Sequence, residues 1–233
     1  MTRWFAAVLA ALAFCGAARA TTLIQVERTC PIGGARYLSF EIGSTSNFGR
    51  RLDLRWIGPE GHLPTVECPN GFVVFKPEEE FTAAEIATLT PVVASAAYQA
   101  ARRSEPIAAR TVLLKRALGT SEADLRDLLL QVAFQAEDAR QEDVRQKYLA
   151  LAASAYDAFL AAHPTPDDDW WIPTIRAAEI ARQRGRFDDA IRIADSVATL
   201  TPPADGWLGR VAKQIRARAV AKDAAPAPFT YDN

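Results

Sequence analysis

Phe81-Thr82-Ala83-Ala84-Glu85 is the point at which this chain changes period. Thr82 and Glu85 stand in the spacing of a capping box, in which the hydroxyl accepts from an early helix amide while the carboxylate reaches back to the cap. Before that point, apolar residues alternate. Thr22–Arg28, Tyr37–Ile42 and Leu52–Ile57 each follow the two-residue period of a half-buried strand, and Phe72–Phe75 adds a short apolar run. Gly33-Gly34, Gly58-Pro59-Glu60-Gly61 and Pro69-Asn70-Gly71 punctuate them. After Phe81 the spacing becomes helical. Thr90-Pro91 predicts a restart with proline at the tolerated first position. Ser104-Glu105-Pro106 opens a helix that ends at Leu118-Gly119, and Ser121–Asp124 opens the next. A long helix is expected over 142–162, stopping before His163-Pro164, and others from near Trp170, over 187–200 and over 205–221. The fold class is therefore α+β: a small N-terminal β module at 21–77, then an all-α region at 82–221. Residues 222–233, rich in Ala and Pro and without period, are expected to be mobile.

Ahead of the β module lies a segment with the pattern of a secretory signal. Arg3 is followed by the apolar run Trp4–Phe14, and Ala18-Arg19-Ala20 satisfies the small-x-small cleavage rule. Cleavage after Ala20 removes Arg3 and Arg19 and takes the formal charge from −1 to −3. Such a chain lacks the concentrated basic surface that nucleic acid demands. Leu12-Ala13-Phe14-Cys15 is similar to a lipobox, although Phe14 is larger than the residue that normally precedes the lipidated cysteine. Contact with a membrane is expected only if Cys15 is lipidated. The Ala- and Arg-rich composition suits a bacterium of high GC content, so the expected destination is the periplasm or the medium.

Within the helical half, Arg176 to Ile191 resembles the tetratricopeptide pattern. Gly185 falls at the turn between helices, Phe187 and Ala190 follow at the repeat's spacing, and Pro202 closes it, giving one clear repeat near 171–204. The preceding segment places Ala152, Tyr156 and Pro164 comparably but has Lys147 where the turn glycine belongs. Cys30-Pro31-Ile32-Gly33-Gly34 and Cys68-Pro69-Asn70-Gly71-Phe72 each look like a Cys-Pro-x-Cys-Gly zinc knuckle without its second cysteine. With Asn47–Asp53 and Glu179–Ala190, these segments resemble a family of uncharacterised bacterial proteins that joins an N-terminal zinc-ribbon-like segment to a C-terminal tetratricopeptide-like helical region. The resemblance implies architecture rather than activity, and Gly33 and Gly71 depart from it where thiolates would stand.

In a zinc ribbon the knuckles face each other across the metal, so the resemblance implies that the surviving Cys30 and Cys68 join as a disulfide, which export favours. Alternatives remain open at this level. One is zinc held by Cys30, Cys68, His62 and Glu67, in a metal- or redox-responsive module; the others are a reactive dithiol or two inert thiols. No catalytic set is legible. Only His62 and His163 exist, Ser44 and Ser46 lie in a polar turn without a nucleophile elbow, and the acidic runs Glu78–Glu80 and Asp167–Asp169 suit a linker and a helix start. Trp170, Trp171 and Trp207 are candidates for a partner surface, and the basic face Arg210, Lys213, Arg216, Arg218 and Lys222 suits solvent. The expected function is non-enzymatic: an exported binding or scaffold protein, without cofactor, contacting a protein or peptide through its helical surface.

Overall fold

The computed structural model describes residues 21–58, 66–164, 166–200 and 206–231. The signal segment, Cys15, His62 and Pro202 lie outside these residues. Among the described residues, four strands precede eight α-helices. Strands β1 (Thr21–Thr29) and β2 (Arg36–Thr45) form an antiparallel hairpin, and β3 (Val66–Glu67) and β4 (Val73–Val74) a second, smaller one. In the long hairpin Gln25 opposes Phe40 and Arg28 opposes Tyr37, with one irregularity between Thr22 and Leu23. The helices are α1 (Ala83–Ala94), α2 (Ala96–Ser104), α3 (Ile107–Ala117), α4 (Arg126–Asp138), α5 (Glu142–Ala162), α6 (Trp171–Gln183), α7 (Phe187–Leu200) and α8 (Trp207–Val220). A 3-10 turn at Glu78–Glu80 leads into α1.

Beside a small cluster of Ala181, Ala190 and Ala219, two main hydrophobic cores divide this frame. The smaller holds Cys30, Ile32, Cys68, Phe72 and Val73 against Phe81, Leu89, Val93, Tyr98 and Leu114, so the knuckles pack on α1 to α3. The larger is built by α4 to α8 around Leu129, Tyr156, Ile175, Val197 and Ile215, and takes in Leu52 and Leu54 from the first half of the chain. The capping box closes as its spacing requires: Thr82 Oγ1 accepts from the Glu85 amide and Glu85 accepts from the Thr82 amide at 2.8 Å. Helix α5 keeps its expected limits because the chain turns out at His163 ahead of Pro164. Helices α6 and α7 form the predicted pair, with Gly185 at φ +73° in the turn, a conformation that costs glycine little.

Three expectations need correction. Leu52–Ile57 is not a strand. Leu54 takes φ +66°, Asp53 Oδ1 accepts from the Arg55 amide at 3.1 Å, and the Arg51 amide donates to the Arg55 carbonyl, so the segment folds into a tight loop. The short carboxylate bonds the backbone two residues on and competes with a ladder. Second, Pro91 lies inside α1, and the break comes at Ser95, whose hydroxyl caps α2 by accepting from the Tyr98 amide at 3.2 Å. A proline deletes one intrahelical bond, whereas a good cap satisfies an orphan donor and lets the chain turn. Third, the tail is docked over its described part. Ala227 and Phe229 are buried, the Leu52 amide donates to the Ala227 carbonyl, and the Phe229 amide donates to the Arg50 carbonyl at 2.8 Å. Phe229 supplies the apolar anchor that the composition of the segment conceals.

Candidate functional site

The two knuckles meet. Cys30 and Cys68 form a disulfide with Cα atoms 5.7 Å apart, and both residues are only 2 % exposed. Asn70 of the second knuckle donates to the Ile32 carbonyl of the first at 2.8 Å and accepts from the Phe72 amide, so a side-chain clamp lies beside the covalent one. At Gly71, the position of the missing second cysteine, φ is +89° and an added Cβ would stand 2.7 Å from the Arg102 guanidinium. The Gly71 carbonyl accepts from Tyr98 Oη at 2.9 Å and Arg110 Nη1 at 2.9 Å. Glu67 takes Arg110 at 2.8 Å and Arg102 at 3.1 Å. Burial alone would raise the Glu67 carboxyl, but these two arginines hold it below the usual range. Cys30, Cys68 and Glu67 thus all have protein partners, and no group of three or more metal-ligating side chains occurs among the described residues.

A second polar constellation escaped the sequence. Arg51 bonds Asp53 at 2.6 Å and Glu137 at 2.5 Å; Arg145 bonds Glu137 at 3.2 Å and Gln183 at 2.5 Å; Gln183 reaches Asp53 and Glu179; and Arg182 grips Glu179 through Nε at 2.8 Å and Nη2 at 2.5 Å. Arg182 also donates to the carbonyls of Asp223 and Ala225. Arg182 and Glu179 are both fully buried, and Asp53, Arg145 and Gln183 nearly so. Three carboxylates and three guanidiniums therefore tie the 50–55 loop, the facing ends of α4 and α5, the C-terminal turn of α6 and the tail into one hub. Burial pushes Glu179 up, with Asp53 adding to it, and Arg182 offsets only part of the effect. Burial would likewise raise Glu137, yet the Arg51 hydrogen bond and the charges of Arg51, Arg145 and Arg55 bring it below its ordinary value. The sequence signal was available: Glu179 and Arg182 stand three apart, interleaved with Ala177, Ala178, Ile180 and Ala181, which are all buried. Such a fully internal pair organises packing; it does not face a substrate.

The three tryptophans of the expected surface differ in burial. Trp170 is buried, edge-on to Trp171 at 5.1 Å, and belongs to the larger core. Trp207 is 36 % exposed, with the Arg50 guanidinium 5.6 Å from its ring and 3.6 Å from that of Trp56. His163 stacks on Phe159 and its Nδ1 lies 2.8 Å from the Phe159 carbonyl, a helix-end role. On the basic face of α8, Arg216 pairs with Asp195 and Arg218 with Asp223.

The large exposed apolar side chains concentrate elsewhere. Leu23, Leu38 and Phe40 on one face of the β1–β2 hairpin are 52, 62 and 49 % exposed, Ile24 on the other face 50 %, and Phe48 just beyond β2 71 %. At its knuckle end the hairpin is anchored by Arg28 and Tyr37, which both bond Glu78. Burial and Glu78 together push the Tyr37 phenol up to about 12. At the other end the Phe48 amide donates to the Ile57 carbonyl, returning the chain to the hub loop. At the knuckle-end anchor lies a cleft of about 370 Å³ whose walls include Arg28, Val66, Val74, Lys76, Glu78 and Glu79. No helix among the described residues is long and apolar enough to cross a membrane. No family model matches this chain, and neither a curated protein nor a solved structure matches it.

Proposed function

We propose that this chain is an exported, non-enzymatic binding or scaffold protein that contacts a protein or peptide. The observation that carries this reading is the exposed apolar hairpin. Each of Leu23, Leu38 and Phe40 forgoes much of the ~1.5–3 kcal/mol that burial of such a side chain provides. Grouped exposure of that kind marks a contact surface more often than a scattered residue does. The contact is assigned to the hairpin rather than to the helical surface first expected, because Trp170 and much of Trp171 are committed to packing. The helices and the hub serve as the rigid frame that holds the hairpin at both ends. The knuckle pair is a zinc-ribbon-like module in which a sulfur–sulfur bond stands where a metal would, which suits an oxidising compartment and needs no cofactor. A photo-crosslinking amino acid placed at Phe40 in producing cells should give discrete protein adducts, while the same group at exposed Val220 on α8 should not. Equal labelling from the two positions, or none from either, would remove the reading.

A further inference from the structure

We infer that β1 accepts an added strand from an extended, basic peptide segment, whose cationic side chain enters the cleft beside Arg28; this rests on the binding function proposed above. Among the described residues β1 has β2 as its only neighbour in the sheet, while β2 lies beside β3. Thr21–Thr29 therefore presents a nine-residue edge. It contains no proline or glycine, its charges are confined to Glu27 and Arg28, and its one irregularity lies between Thr22 and Leu23, so Leu23–Val26 is an uncharged and regular stretch of edge. Two strands alone are marginal in water, and a third would complete a sheet. Main-chain bonds to such an edge give affinity and alternate side-chain positions give specificity.

The alternation also specifies the guest. Leu23, Gln25 and Glu27 of β1 share the face that exposes Leu38 and Phe40, so guest residues opposite Leu23 and Gln25 extend an apolar surface. Arg28 is on the other face and lines the cleft, so a guest residue opposite it directs its side chain there. The cations of that cleft are already neutralised: Arg28 pairs with Glu41 and Glu78, and Lys76 bonds Glu85. Glu79 is exposed and has no ion-pair partner among the described residues, and Glu80 follows it. Among the lining residues Arg28 and Lys76 balance Glu78 and Glu79, and the adjoining Glu41 and Glu85 give the neighbourhood a surplus of negative charge over an apolar floor of Val66 and Val74. A lysine or arginine stem packs on such a floor while its head meets the carboxylates.

The test pans a random dodecapeptide phage library against the mature chain, followed by titration of the synthesised winners and amide hydrogen exchange. Enriched peptides should alternate apolar residues, include Lys or Arg and lack Asp and Glu. They should slow exchange in β1, and Glu79→Lys, a change at an exposed side chain, should weaken them by about tenfold. Acidic or helix-patterned winners, protection confined to the helices, unchanged affinity in Glu79→Lys, or no enrichment would overturn strand addition. So would β1 protection that appears with protein concentration alone, which would identify a second copy as the occupant. Discrete adducts at Phe40 alongside failed panning would leave the binding function standing and reject only the mode.

Discussion

Replacing Arg182 with methionine tests the hub directly. The guanidinium, fully buried, binds both oxygens of Glu179, itself fully buried, and two carbonyls of the tail. Methionine fills similar space but leaves an uncompensated carboxylate beside Asp53 and strips the tail of its donors. Removing one partner of a buried pair costs about 3–5 kcal/mol, because the remaining charge has lost its solvation and gained nothing. At about 2–4 °C per kcal/mol for a chain of this size, Arg182→Met should melt ~6–20 °C below the parent by circular dichroism. Glu179→Met with Arg182→Met removes both charges, so the double variant should recover much of the loss. The sum of the single effects should exceed the double effect by at least ~1 kcal/mol. Hydrogen exchange should also show the tail released in the single variant, since Asp223 and Ala225 lose their common anchor. A loss under ~1 kcal/mol in Arg182→Met, or strict additivity in the cycle, would show that the hub does not hold these elements together.

Other perturbations have expected outcomes of their own. Cys30→Ser with Cys68→Ser reopens a loop of 38 residues and should cost about 4 kcal/mol in the chain-entropy description, read as a denaturant midpoint that falls by the same amount when the parent is reduced. Glu137 sits below its ordinary value in the folded chain, so its ionised form contributes stability above the unfolded value of about 4.3, and that contribution fades as pH falls through the folded value. The acid limb of a stability–pH curve should therefore flatten in Glu137→Gln. Gly71→Ala should destabilise by about 1–2 kcal/mol through its positive φ, more through contact with Arg102; adding Arg102→Ala should return only the contact part. Leu38→Glu with Phe40→Glu should leave the melting temperature within a few degrees, since both side chains are about half exposed or more, while abolishing adducts from a crosslinker at neighbouring Leu23.

Local signals carried much of the architecture. The capping box at Thr82, the proline after His163 and the glycine at 185 each act within a few residues, and the helices begin and end where those groups demand. Segments whose conformation is decided by distant partners were misread. Leu52 and Leu54 alternate like a strand, but they enter the larger core only because Asp53 turns the backbone between them and finds Arg51 and Gln183. The tail looks unstructured by composition, yet Arg182, forty residues upstream, takes its carbonyls and Phe229 finds a pocket. Most of the hub was hidden for the same reason: apart from Glu179 and Arg182, three apart on one helix, its members at 51, 53, 137, 145 and 183 come from distant segments that no spacing joins.

Periodicity, caps and turn residues are properties of neighbouring side chains, so they suffice for most of the helices and for the switch from strands to helices near Phe81. Burial is a property of the assembled chain. Whether Trp170 points inward, Leu38 and Phe40 point out, and Glu179 finds a cation depends on which elements come to lie against them, and long-range packing settles that.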